Sequence, residues 1–252
     1  EFKGSVEYKI ENKNFSASRE DGVKQDTDKT WITAAVSGPL IQDQLFFYGS
    51  YYGPEEKGSN KITAYGPTKA YKNERDEYFG KLTWAATDDL LMNLSYRDSD
   101  RVETGSSIGE FETDSVSAGS QSQQKIFTFD GTYILGDYTT LSFNVNKFDY
   151  KTGGKPDVEL GLVPALGNAL DIANLERMGY FNVPDLLAAT DADAATFNPG
   201  AQALIDRYGY IENGQMTGGG GVGAYYQYNN QNFFRDSFEL ALDHEIIGDV
   251  LV

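Results

Sequence analysis

The segment that decides the fold is YFGKLTWAATDDLLMNLSYR, residues 78–97. Its first half alternates apolar and polar residues as far as Trp84, and its second half does so again from Leu90 onward. Between the halves lies Thr87-Asp88-Asp89, a short connection with the Asp chemistry of a tight turn. Two alternating segments joined in this way predict an antiparallel β-hairpin with one apolar face and one polar face.

The same alternation recurs along the chain in eight segments altogether. Side chains of a strand point alternately to opposite faces, so each segment is expected to be a strand with one apolar side. The sequence therefore predicts an all-β chain of antiparallel strands. The segments are 2–10, 30–40, 45–52, 77–86, 90–97, 127–133, 141–146 and 237–246.

The lengths of the connections carry more information than the strands. Three are short, at 41–44, 87–89 and 136–137, and Gly248-Asp249 looks like the next of them. The others are long, at 11–29, 53–76, 98–124 and 151–233, and short and long connections alternate without exception. Up-and-down barrels of the bacterial outer membrane have short turns on one side and long extracellular loops on the other. We therefore expect a transmembrane β-barrel segment in contact with outer-membrane lipid.

The last long connection differs from the three before it. The earlier ones are polar and would be mobile if isolated, whereas residues 151–233 contain helical patterning. This predicts a folded extracellular cap within a barrel segment that spans residues 1–252. The tetraglycine at 218–221 is expected to be a flexible descent into the final strand. Short helices are expected at 169–178, 185–189 and 199–208.

Composition excludes several classes of function. The net charge of −17 argues against nucleic-acid binding, and the absence of cysteine excludes a disulfide framework. The sole histidine, His244, is interpreted as an interfacial residue, because one histidine without another strong ligand makes a poor metal site. No catalytic constellation stands out. We therefore expect no enzyme activity, no cofactor and no metal site.

Two groups in the cap are candidate ligand contacts. Tyr225, Tyr226 and Tyr228 form either an aromatic girdle at the membrane boundary or a stacking surface for a sugar or peptide. Asp191 and Asp193 have oxygen ligands at a spacing that suits Ca²⁺, although solvated loop carboxylates are the favoured interpretation.

A third group lies on the polar faces of the predicted strands. Such residues would face the water-filled lumen of a barrel, where they could contact a plug domain or a substrate. Their polarity needs no further explanation in that setting. They are Lys81, Asn93, Arg97, Asn144 and Glu239.

Two stretches resemble a known family. SGPLIQDQLFFYGSY, residues 37–51, resembles a hairpin of TonB-dependent outer-membrane receptors, especially the Oar-like subgroup. YFGKLTW at 78–84, followed by Asp88-Asp89-Leu90 and Ser95-Tyr96-Arg97, resembles the next hairpin. The similarity covers roughly the first 150 residues and leaves the large loop unassigned.

This resemblance implies a barrel of about 22 strands, of which the chain supplies about eight, without the N-terminal plug domain. It also implies a ligand captured by the extracellular loops and uptake energised by the TonB complex. Ferric siderophores, oligosaccharides and peptides all remain open as ligands. Two alternatives also remain: a closed eight-stranded barrel with a structural or adhesive role, and a soluble lectin-like sandwich.

Overall fold

The computed structural model describes residues 1–15, 27–58, 62–106, 108–157, 180–197, 200–223 and 228–245. Its main element is a sheet of eight long strands. In chain order these are β1 (Lys3–Glu11), β2 (Thr27–Ile41), β3 (Leu45–Gly58), β4 (Lys72–Thr87), β5 (Leu90–Ser106), β6 (Ala118–Ile134), β7 (Thr139–Pro156) and β8 (Asn229–His244).

The sheet is a simple antiparallel meander. Each long strand pairs with the next one along the chain, and β1 and β8 form its two edges. The prediction of an all-β antiparallel fold is confirmed. The eight described strands form an open sheet rather than a barrel closed by a β1–β8 pairing.

The short connections fall where they were predicted. The turn between β2 and β3 is centred on Asp43, whose φ of 58° is left-handed, and the turn between β6 and β7 uses Gly136 at φ 93°. Asp88 and Asp89 connect β4 to β5. The predicted turn at Gly248-Asp249 lies outside the described residues.

The predicted bounds of the long loops were wrong, because the strands continue well into them. β3 runs to Gly58, β5 to Ser106 and β7 to Pro156, and their partners begin correspondingly early. The added residues are polar on both faces, for example Gln121 to Gln124. Apolar alternation marks a strand only where one face avoids water, so it does not detect strand ends with water on both sides.

The register sorts the side chains into an apolar and a polar face. Residues paired across neighbouring strands share a face, so the faces can be followed from β1 to β8. The row through Phe47, Leu82, Leu94, Phe129, Val145 and Phe238 typifies the apolar face.

The sheet buries almost none of its apolar surface. The buried Val, Leu, Ile and Ala side chains in the described ranges all lie outside the eight strands. Val6 is 82% exposed and Phe238 is 70% exposed, both on the apolar face. Nothing in the described part of the chain covers this face.

The cap contains the helices. α1 (Ala189–Phe197) and α2 (Ala201–Tyr208) lie between short ribbons made by residues 180–182 with 221–223 and 210–212 with 215–217. The helix predicted at 199–208 is confirmed as α2. The helix predicted at 185–189 is wrong in its bounds, since α1 begins at Ala189, and the one at 169–178 lies outside the described residues. No helix within those ranges is long and apolar enough to cross a membrane.

A small hydrophobic core holds the cap together. Val183, Leu204, Ile205 and Val222 are each at most 3% exposed, and they pack against one another. Leu204 and Ile205 lie on one side of α2, which brings that helix onto the 180–182 ribbon. The cap is therefore a folded unit with a core that the sheet does not have.

Replacing Ile205 by alanine should destabilise the cap by about 2–5 kcal/mol, because a fully buried side chain leaves a cavity. The measurement is native-state hydrogen exchange of the α2 amides. Leu187→Ala is the matched control, since Leu187 is 41% exposed, and it should change the opening free energy by less than about 0.5 kcal/mol. Equal losses in both variants would contradict the assigned core.

Candidate functional site

A row of polar side chains crosses the middle of the polar face. Thr83 Oγ1 donates to Asn93 Oδ1 at 3.0 Å, and Asn93 Nδ2 donates to Asp130 Oδ2 at 2.9 Å. The register continues this row through Asn144 and Glu239. Lys81 and Arg97 lie on the same face. The structure therefore brings all five residues predicted to face a lumen onto one side of the sheet.

A charged cluster follows towards the cap, centred on Glu77. Arg97 Nε donates to Glu77 Oε1 at 2.9 Å, and the Arg75 guanidinium pairs with the other carboxylate oxygen. Arg75 Nε also donates to Ser99 Oγ at 2.9 Å. The Glu77 side chain is only 12% exposed. Two guanidinium groups thus enclose one carboxylate and fix the spacing between β4 and β5.

Beside this cluster, Pro54 creates a depression in the sheet. Pairing of β3 with β4 stops after Tyr52–Glu77 and resumes at Glu55–Glu74. Proline has no N–H to donate, so a break in the ladder at this position is expected. The result is a cavity of about 230 Å³, here called the Pro54 depression. Its lining is Lys29, Trp31, Tyr52, Pro54, Glu55, Glu56, Asn73, Arg75 and Arg101.

Ion pairs and hydrogen bonds hold the lining in place. Lys29 Nζ lies 3.2 Å from Glu56 Oε1, and Arg101 Nε donates to Asn73 Oδ1 at 2.9 Å. Lys9 Nζ lies 4.9 Å from the ring centroid of Trp31, so it covers one face of the indole. The remaining surface of that ring lines the depression.

Sequence reasoning missed this site. It assigned Asn73 and Arg75 to one loop and Arg101 to the next, although all three lie on strands. A usable signal was present in the charges. Arg75 and Glu77 lie two residues apart, and Arg97, Arg101 and Glu103 lie at intervals of four and two. Even intervals place these side chains on one face of a strand.

The predicted cap residues do not converge on one point. Asp191 and Asp193 lie on α1, where residues two apart point in different directions. Asp191 Oδ2 accepts the backbone N–H of Asp185 at 3.3 Å. Within the described ranges no group of acidic, His or Cys side chains could hold a metal ion. Tyr228 precedes β8 and is 56% exposed, and Tyr225 and Tyr226 lie outside the described residues.

The cap rests on the loops that follow β3 and β5. The rings of Tyr65 and Tyr208 meet edge to face at 5.4 Å, and the Tyr65 hydroxyl donates to the Tyr208 carbonyl. Phe111 stacks on Tyr210 at 4.3 Å between centroids. Two of the loops expected to be mobile if isolated therefore pack against the cap.

Burial raises the pKa of the Tyr65 hydroxyl, and neighbouring tyrosines add to the effect. Burial also raises the pKa of Tyr210, with further contributions from Glu212, Asp185 and Glu110. In both cases the folded cap favours the neutral phenol.

Comparison with protein-family models, with curated proteins and with solved structures found no match to this chain. The functional argument therefore rests on the geometry of the sheet and its cap.

Glu77→Gln should weaken the β4–β5 hairpin, because two guanidinium groups lose their shared carboxylate. We expect a loss of about 1–2 kcal/mol, less than for a fully buried pair, since both arginines are at least one-third exposed. Hydrogen exchange of the β4 and β5 amides measures it. The control is Glu239→Gln, an exposed carboxylate on the same face, and an equal loss there would refute the central role of Glu77.

The cap should loosen from the loops at alkaline pH. A phenol whose folded-state pKa is raised contributes stability below its ordinary pKa of about 10 and loses that contribution as pH rises through the folded value. Limited proteolysis between about pH 9 and 12 should show earlier cleavage of the cap as Tyr65 and Tyr210 ionise. Tyr65→Phe should flatten this pH dependence, and an unchanged profile would contradict the assignment.

Proposed function

We propose that this chain is a wall segment of a receptor barrel in the bacterial outer membrane, with its apolar face against lipid. The polar face would line the lumen, and the cap would lie at the extracellular end, where it captures a scarce ligand for uptake. The observation that carries the proposal is the shape of the band of uncovered apolar side chains on the apolar face, here called the belt.

The belt cuts diagonally across the sheet. Ile10 is the apolar-face residue of β1 nearest the cap. The cross-strand pairings that start from Ile10 end on β8 at Asn230. The continuous apolar run of β8 begins only at Phe238, eight residues further along that strand. From each strand to the next, the upper edge either stays level or moves by two residues, always in the same direction. It is formed by Ile10, Ile32, Tyr51, Tyr78, Tyr96, Phe127, Val145 and Phe238.

This slope gives the tilt of the strands away from the normal to the belt. The edge moves about eight residues of ~3.4 Å each over seven steps between strands of ~4.8 Å each. The ratio corresponds to a tilt of about 40°, inside the range of about 35–45° for transmembrane barrel strands. A flat membrane boundary drawn across tilted strands has this form, whereas a soluble sandwich has no reason to keep it.

Aromatic residues occupy the edges of the belt. Tyr51, Tyr78, Tyr96 and Phe127 lie on consecutive strands at the cap side. The hydroxyl of Tyr51 donates to Asp76 at 2.6 Å, and that of Tyr96 to Asp98 at 3.3 Å. The rings of Tyr51 and Tyr96 thus lie at the edge of the apolar belt, while their hydroxyl groups reach the first carboxylates beyond it. This amphipathic arrangement is typical of an aromatic girdle.

Two alternatives have less support. An adhesive barrel of eight strands requires β1 to pair with β8, and these strands are the two edges of the described sheet. A lectin-like sandwich requires a second layer on the apolar face, and the described residues provide none. Energised uptake through the TonB complex is part of our proposal on the strength of the hairpin resemblance.

Spin labels on adjacent residues of β5 test the proposed membrane orientation. The chain has no cysteine, so Leu94→Cys and Ser95→Cys each introduce one labelling site, on the apolar and the polar face respectively. In outer membranes carrying the whole protein, the label at 94 should collide with lipid-dissolved oxygen and be shielded from a water-soluble nickel reagent. The label at 95 should show the opposite preference.

Equal access of the nickel reagent to both positions would overturn the proposal, because it would place water on both faces. A label at Arg101→Cys, above the belt, is the reference for full exposure to water. Folding of each variant is checked by the protease resistance of the cap.

A further inference from the structure

We propose that the Pro54 depression binds one ring of a neutral oligosaccharide, so that a neutral glycan is the ligand class this chain recognises. The inference rests on the proposed function for its location on the lumen wall. Its chemistry comes from the lining itself.

The depression offers apolar surface suited to the C–H face of a sugar ring. Trp31 and Tyr52 lie on neighbouring strands at diagonal positions of the polar face, and Pro54 lies opposite Trp31 and two residues from Tyr52. Amphipathic aromatic rings bury one apolar surface while their surroundings stay wet. The cavity, at about 230 Å³, is smaller than the ~300–1,000 Å³ of drug-sized sites, so it suits one ring of a longer ligand.

Around this surface lie groups that match hydroxyls. Asn73 provides an amide, Arg75 and Arg101 provide planar N–H donors, and Glu56 provides carboxylate oxygens. Hydrogen bonds to neighbours already hold Arg75 and Arg101, so little side-chain freedom is lost when a ligand binds. The lining thus offers both donors and acceptors to a ring with several hydroxyl groups.

The balance of charge selects a neutral ligand. Lys29 pairs with Glu56 at 3.2 Å, and Arg101 lies 3.7 Å from Glu103. Arg75 and Arg97 share Glu77, and Lys9 Nζ, beside Trp31, lies 3.5 Å from Glu11 Oε1. The cations in and beside the depression are thus already paired with carboxylates. An anionic siderophore or acidic sugar would have to compete with these carboxylates, so it would gain little to offset its desolvation.

The position in the sheet disfavours a peptide. Extended peptides commonly bind by adding a strand to an exposed sheet edge. The depression lies on a sheet face between β2 and β5, where each strand is paired on both sides. Backbone hydrogen bonding to an incoming strand is therefore not available at this place.

The two tryptophans of the chain make the test direct. Trp31 lines the depression, whereas Trp84 lies on the apolar face. In the Trp84→Phe variant of the whole protein in detergent, Trp31 is the reporter from this chain. We expect its emission to change saturably with a neutral gluco-, galacto- or manno-oligosaccharide. Oligogalacturonate, a ferric hydroxamate and a tetrapeptide should have no such effect.

Substitutions then locate the binding. Tyr52→Ala and Arg101→Gln should each weaken the response about tenfold, since each removes one wall of the depression. Tyr48→Ala is the matched control, because Tyr48 is an exposed tyrosine four residues away on the same strand and face. It should leave the affinity unchanged. In Trp31→Phe, where Trp84 is retained, the fluorescence response should vanish.

The inference is overturned if no neutral oligosaccharide changes the Trp31 emission at concentrations up to about 10 mM, a very weak affinity. It is also overturned if only the acidic sugar, the hydroxamate or the peptide does so, or if Tyr48→Ala loses as much affinity as Tyr52→Ala. Arg101→Gln keeps the test decisive if Tyr52→Ala fails to fold. The spin-label experiment reports on the membrane orientation separately, so either proposal can fail while the other stands.

Discussion

The rest of the structure depends on the register of the eight-stranded sheet, whose shifts lie at strand ends, near Pro39, Ala85 and Glu103. Because side chains alternate with a period of two, a slip of one residue between any two strands would move every later side chain to the opposite face. The tight turns at Asp43, at Asp88-Asp89 and at Gly136 fix three of the pairings. Apolar and polar faces therefore stay separate from β1 to β8, and the belt and the polar row follow from that.

The sheet and the cap are stabilised in different ways. The cap buries Val183, Leu204, Ile205 and Val222 in a conventional core. The sheet relies on backbone hydrogen bonds and on pairs across strands, such as Phe129 with Phe143, while its apolar side chains remain uncovered. In the function proposed above, lipid would cover this surface without a second protein layer. Tyr65 and Phe111 connect the two parts by packing under the cap.

The Pro54 depression lies where the pairing between β3 and β4 is interrupted. Pro54 cannot donate to β4, so the pairing of β3 with β4 is interrupted there, while β2 and β3 stay paired and hold Trp31 and Tyr52 beside the interruption. The adjacent cluster around Glu77 holds β4 and β5 together at the same height, so the interruption does not spread. A local break in a regular ladder, supported by charged neighbours, thus produces the one cavity that combines aromatic walls with hydrogen-bonding groups among those described on the polar face.

The sequence by itself determined the eight long strands, their antiparallel order and the faces of residues such as Lys81 and Leu82, but not the short ribbons of the cap. Alternation and turn chemistry are local, so they can be followed along the chain. It also indicated α2 from local patterning. Only the tertiary structure decided how far the strands extend, because polar strand ends such as 121–124 have water on both faces and leave no apolar signal. It alone brought Trp31, Arg75 and Arg101 together, since they lie on β2, β4 and β5 and meet only through the pairing of polar strand ends that apolar alternation does not reveal.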